Sequence, residues 1–129
     1  MNYRIRSALA TVALLLAAGS SWAHHSQAAV FDFSKKFTLV GTLARVDWRN
    51  PHIQAFLESK GDGGKMEAWV MEAMAPSSFR TRGVSKSDFE KFVGQTVTVE
   101  AVRARDGSLY GLLLKITFPD GRVVVTGYT

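Results

Sequence analysis

The sequence predicts an all-β domain with a short helical insertion, folded as a small OB-like Greek-key barrel of five to six strands. Three observations point there. From about residue 37 onward, apolar and polar residues alternate at the period of two that turns one side of a strand toward a core. Glycine-bearing turns at residues 60–65, 105–108 and 119–121 separate these runs, and such turns reverse a chain between antiparallel strands. The alternation lapses between residues 76 and 92, so three strands precede a helical interlude, and two long strands and a short one follow it. That order suits an OB-type barrel, whose closure removes the edges through which a valine-rich sheet aggregates. A β-sandwich would show about seven strands and no helical break.

Taken in order, residues 1–23 read as a signal peptide. Arg4 and Arg6 form a basic start, residues 8–18 ("ALATVALLLAA") an apolar run, and Ser21-Trp22-Ala23 places small residues where a signal peptidase reads. The run is shorter than the roughly 20 residues a membrane-crossing helix needs, so no stable membrane anchor is expected after the cut between Ala23 and His24. Residues 24–36 then form an N-terminal extension and 37–129 a single barrel domain. The first strand (37–48) carries Phe37, Leu39, Gly41 and Leu43 on one face, with Gly41 read as a bend or bulge. Asn50-Pro51 breaks it. A second strand covers 53–58 and a third 66–74. Pro76 opens one short helix, and Ser85 caps a second. Strands follow at 96–103, 109–118 and 123–125. The expected core is Phe37, Leu39, Leu43, Phe56, Trp69, Val97, Val99, Leu112, Leu114 and Ile116.

Composition excludes several functions. The chain has 16 Lys and Arg against 11 Asp and Glu, and loss of Arg4 and Arg6 leaves 14 against 11, a formal +3 without a basic block. Charge so diffuse does not track a phosphate backbone, so no nucleic-acid partner is expected. The absence of cysteine removes disulfides, thiolate metal sites and cysteine nucleophiles together. An exported domain of this size then depends on its apolar core.

Several strings carry a resemblance. "AHHS" at the cut, Phe31-Asp32, "GTL…VDWRNPH" from Gly41 to His52, "RTRG" at 80–83, "RDGS" at 105–108 and "PDG" at 119–121 resemble a family of small exported bacterial proteins classed as a domain of unknown function. Its members commonly show His-His-Ser after the signal peptide and a Trp-x-Asn-Pro-His string. The matching positions here are His24, His25, Ser26, Trp48, Asn50, Pro51 and His52. The resemblance implies export to the periplasm or beyond, and no activity. At Ala75-Pro76-Ser77 this chain departs from the Pro-Asn of the family.

All three histidines fall in those two strings. Imidazole is the commonest metal ligand near neutral pH. A mature N-terminal His24 offers its α-amine and Nδ1 as a chelate, and a second imidazole completes a planar set of nitrogens that suits Cu(II). Three imidazoles and a water equally suit Zn(II). The metal candidates are therefore His24, His25 and His52, with copper favoured over zinc as the cofactor. The plainer reading makes the pair part of a fraying tail and His52 a turn residue.

The alternative is a non-enzymatic ligand-binding or envelope-interaction module, with Trp48, Trp69 and Tyr110 as stacking groups on a barrel face. Its partner would be envelope material instead of a metal ion. No catalytic residue is assigned. Ser26, Ser77 and Ser78 have no histidine and carboxylate at a recognisable triad spacing, and Asp47, Glu58, Glu67 and Glu72 read as solvent-face strand charges.

Overall fold

The computed structural model describes residues 27–128, so the expected leader, its cut and the pair His24 and His25 lie outside the described residues. One helical turn, α1 (Gln27–Val30), enters the long strand β1 (Phe31–Asp47). There follow β2 (Gln54–Lys60), a 3₁₀ turn (Asp62–Gly64), β3 (Met66–Glu72), the short helices α2 (Pro76–Arg80) and α3 (Lys86–Glu90), β4 (Thr96–Ala104), β5 (Tyr110–Thr117) and β6 (Val123–Val125). Among the described residues no helix is long and apolar enough to cross a membrane.

The protein is mostly β. Six strands pair in the order β3-β2-β1-β4-β5-β6, antiparallel at every step. Residues 70–72 of β3 also run parallel to 110–112 of β5, which brings β1 to β5 into a near-ring, with β6 paired to the end of β5. The helices fall between β3 and β4, where the alternation lapses. Asp88 fixes the start of α3, its carboxylate accepting both the Ser85 backbone N–H and the Ser85 hydroxyl at 2.7 Å, half of the reciprocal arrangement of a capping box.

Two apolar clusters result. The main one joins Leu43, Leu57, Trp69, Met71, Val97, Val99, Leu113 and Ile116 inside the near-ring, with Phe79 and Phe89 of the helices packed on it. Trp48 lies against both phenyl rings, at centroid distances of 5.6 and 5.5 Å. The second is smaller and outside: Phe31, Val102, Ala104 and Leu112, with Tyr110, Leu114 and Tyr128 against it.

Three expectations need correction. In β2 the inward residues are Ala55 and Leu57, and Phe56 faces out beneath the Arg45 guanidinium, 3.9 Å from the ring centroid. Ile53, Ala55 and Leu57 alternate inward without a break, which leaves Phe56 on the outer side; across from it Ala44, an extra residue between the pairs Leu43–Leu57 and Arg45–Phe56, is a β-bulge that brings Val46 of β1 to the core. A second bulge leaves Leu114 between the pairs Glu100–Lys115 and Ala101–Leu113, so Leu113 joins the main core while Leu112 and Leu114 belong to the outer cluster. Gly41 is not the bulge residue. A methyl there would sit 2.6 Å from the Glu58 carbonyl oxygen, so close backbone approach is what demands glycine.

The first strand also begins earlier than expected. Its ladder with β4 is continuous from Lys36, and Phe31 makes a separate pairing with Ala104 across an irregular stretch. Within that stretch the Asp32 carboxylate accepts the Ser34 N–H and hydroxyl at 3.2 and 2.7 Å, a local turn that lets buried Phe31 dock on the outer cluster.

Candidate functional site

Trp48 leaves β1 to pack on the helices, and the cis peptide Asn50–Pro51 follows. Ile53 then anchors the returning chain: fully buried, it donates its N–H to the Met74 carbonyl at 3.1 Å and accepts from the Ala73 N–H at 2.8 Å. Those bonds hold the preceding residue, His52, beside the end of β3. There the His52 Nδ1 lies 2.9 Å from Oε1 of Glu72, with the imidazole 40% exposed and the carboxylate 16%. The other carboxylate oxygen, Oε2, accepts the Tyr110 hydroxyl. Tyr110 stands at the head of β5, where the parallel pairing with β3 begins.

Glu72 thus joins His52 to Tyr110. Burial pushes the Tyr110 phenol above its ordinary value, and the bond to Glu72 and its negative charge push the same way. Tyr128 is also raised, by burial first and by the Glu72 charge to a lesser degree, against the opposing effect of its bond to Gln27.

That bond brings the start of the described chain to the same place. The Gln27 Nε2 donates to the Tyr128 hydroxyl at 2.8 Å. Arg105 fastens the rest of α1, its N–H donating to the Val30 carbonyl at 2.9 Å and its Nε to the Ala28 carbonyl at 2.8 Å. Gln27 directly follows the His24-His25-Ser26 string. Beside His52 is an open recess of about 380 Å³ lined by Arg49, Asn50, Pro51, His52, Gln54 and Glu72. Among the described residues no three His, Asp or Glu side chains are grouped as a metal site would need, so His52 and Glu72 stand as a pair. Arg49 points its charge at Asp47, 3.2 Å away.

The aromatic candidates are dispersed. Trp69 is 2% exposed, its ring against Phe37 and the Arg103 guanidinium, which also touch each other, and its Nε1 donates to Glu67 at 3.0 Å. Trp48 closes the helical end of the core, and Tyr110 belongs to the outer cluster, 5.4 Å from Phe31. Glu72 is the residue that sequence reasoning passed over, as a solvent-face charge. It does lie on the outer face of β3, but that face is covered here. The apolar Val102, Leu112 and Leu114 on the neighbouring strands were the available signal.

The model of a family of unknown function (DUF6152) matches residues 12–114, and the chain belongs to that family. The match contains His24, His25, His52, Glu72 and Tyr110 and ends before Tyr128. Comparison with curated proteins and with solved structures gives no match.

Proposed function

We propose that this member of the family is an exported protein, periplasmic or secreted, that binds or handles a metal ion through His24, His25 and His52. Copper is favoured and zinc is the second choice. Its scaffold is an OB-like Greek-key barrel, a reading supported by the five-strand near-ring, the β3–β5 contact and the helices between β3 and β4.

The observation that carries the proposal is the route of the chain at its start. Gln27, three residues after His24, is bonded to Tyr128, whose hydroxyl feels the charge of Glu72, and Glu72 lies 2.9 Å from His52. Three residues of extended chain span at most ~10 Å, so His24 and His25 have only a short tether to cross. Cleavage after Ala23 would free the His24 amine, and amine plus imidazoles form the nitrogen-rich set that Cu(II) prefers in tetragonal geometry. The recess beside His52 leaves room for an ion and its waters. The stacking alternative has less support, because Trp69 is only 2% exposed.

Mass determination of the exported protein, isolated without chelator and sprayed under native conditions, tests the proposal. The expected result is a chain beginning at His24 that carries one Cu or Zn ion, or takes one up when it is supplied. A chain that begins elsewhere, or one that takes up neither ion, contradicts it.

A further inference from the structure

We infer that Glu72 is a positioning residue that makes Nε2 the metal-binding nitrogen of His52, an inference that rests on the metal reading above. A carboxylate only accepts hydrogen bonds, so the neutral imidazole whose Nδ1 lies 2.9 Å from Glu72 Oε1 carries its proton on Nδ1. The lone pair is then on Nε2. The imidazole is 40% exposed at the lip of the recess, which leaves this nitrogen open to an ion. Metal-binding histidines are commonly fixed in this way, the carboxylate setting both the tautomer and the plane of the ring.

Glu72 is itself held. Oε2 accepts the Tyr110 hydroxyl, and the backbone of Glu72 is paired on both sides, with Gln54 of β2 and Leu112 of β5. The carboxylate therefore has little freedom to leave His52. Oε2 is already taken by the Tyr110 hydroxyl, and Oε1 faces the imidazole at 2.9 Å. Among the described residues the group offered to an ion is then the imidazole of His52, with the charge of Glu72 acting through the ring it orients. Cu(II) gains most from such a nitrogen ligand among the ions considered.

The test has two readouts. In the metal-free mature protein, long-range ¹H–¹⁵N NMR of the neutral imidazole should show His52 as the Nδ1–H tautomer, and E72A, which removes the acceptor, should move it toward Nε2–H. Cu(II) affinity in E72A should fall roughly 10–100-fold, the usual effect of removing such a partner. Y110F keeps the carboxylate and should keep the tautomer, while far-UV circular dichroism checks that each variant is folded. A wild-type protein with the Nε2–H tautomer overturns the inference. So does a wild-type protein that loses Cu(II) binding in H52A yet keeps its affinity in E72A. A wild-type protein that binds no Cu(II) removes the metal reading and with it the ligand role of His52, even where the tautomer is as expected.

Discussion

Glu72 meets the His52 imidazole at 2.9 Å with one carboxylate oxygen and accepts the Tyr110 hydroxyl with the other, joining residues that lie 20 and 38 positions away along the chain. No local pattern announces such a link. It depends on β3 meeting β2 on one side and β5 on the other, which is the contact that closes the near-ring.

Removing the Tyr110 hydroxyl should therefore be felt in stability. Y110F leaves one oxygen of a largely covered carboxylate without its donor, and hydrogen bonds to charged groups contribute about 1.5 to 3 kcal/mol. Urea unfolding should show a loss in that range with an unchanged slope. A loss under about 0.5 kcal/mol would mean that water replaces the phenol freely.

Alkaline titration checks the same environment. A phenol raised in the fold keeps its proton longer than the unfolded chain does, so its contribution to stability is complete below about pH 10 and declines as pH rises beyond that. Tyr110 and Tyr128, the two tyrosines outside the expected leader, are both raised. Tyrosinate absorbance should appear above pH 10 and together with loss of the fold. Reversible ionisation near pH 10 in the folded protein would contradict this.

Asp88 works in the opposite direction. Its bonds from the Ser85 hydroxyl and N–H, and then from Arg122, hold its carboxyl down at about 2. The stability it contributes is present above its ordinary value near 3.8 and is lost as pH falls through about 2. D88N should be less stable than wild type at pH 7, by about 0.5 to 2 kcal/mol as for a lost helix cap. The difference should shrink between pH 4 and about 2. Equal stability at pH 7 would remove the capping role.

The phase of β2 gives an ordering test. L57A should cost about 2 to 5 kcal/mol, as a buried leucine does, and F56A clearly less, despite the larger side chain removed. Equal losses would place Phe56 in the core after all.

That reversal shows where the sequence was readable. Six strands, their order, the helical break and each glycine-bearing turn followed from alternation and turn chemistry, because those signals are local. The strand faces did not follow throughout: Ala44 and Leu114 are bulge residues, and nothing in their side chains distinguishes them from paired neighbours. The outer cluster was missed for a related reason. Phe31 reaches it only through the irregular stretch after α1, and alternation alone assigns Leu112 and Leu114 to the same core as Ile116. His52 was noticed for its chemistry, and Glu72 acquires significance only once β3 and β5 are paired.

Tyr128 tests the link between α1 and the last of the described residues. Y128F removes the acceptor of Gln27 Nε2, and the cost to folding should stay within the ~0.5 to 1.5 kcal/mol of one neutral hydrogen bond. On the proposed metal site, isothermal titration should nevertheless show Cu(II) affinity reduced severalfold, because Gln27, which follows the histidine string in sequence, would lose its anchor on Tyr128. Unchanged affinity would mean that Arg105 alone positions α1.

The most direct measurement of the metal-binding claim is a Cu(II) competition titration of three proteins: the mature chain beginning at His24, the same chain with one extra alanine before His24, and H52A. Binding through the free amine and converging imidazoles predicts a loss of at least tenfold in both altered proteins, since each lacks one member of the nitrogen set. Unchanged affinity in the alanine-extended chain would exclude the amine. Unchanged affinity in both would contradict the claim and leave the paired histidines as residues of a processing site.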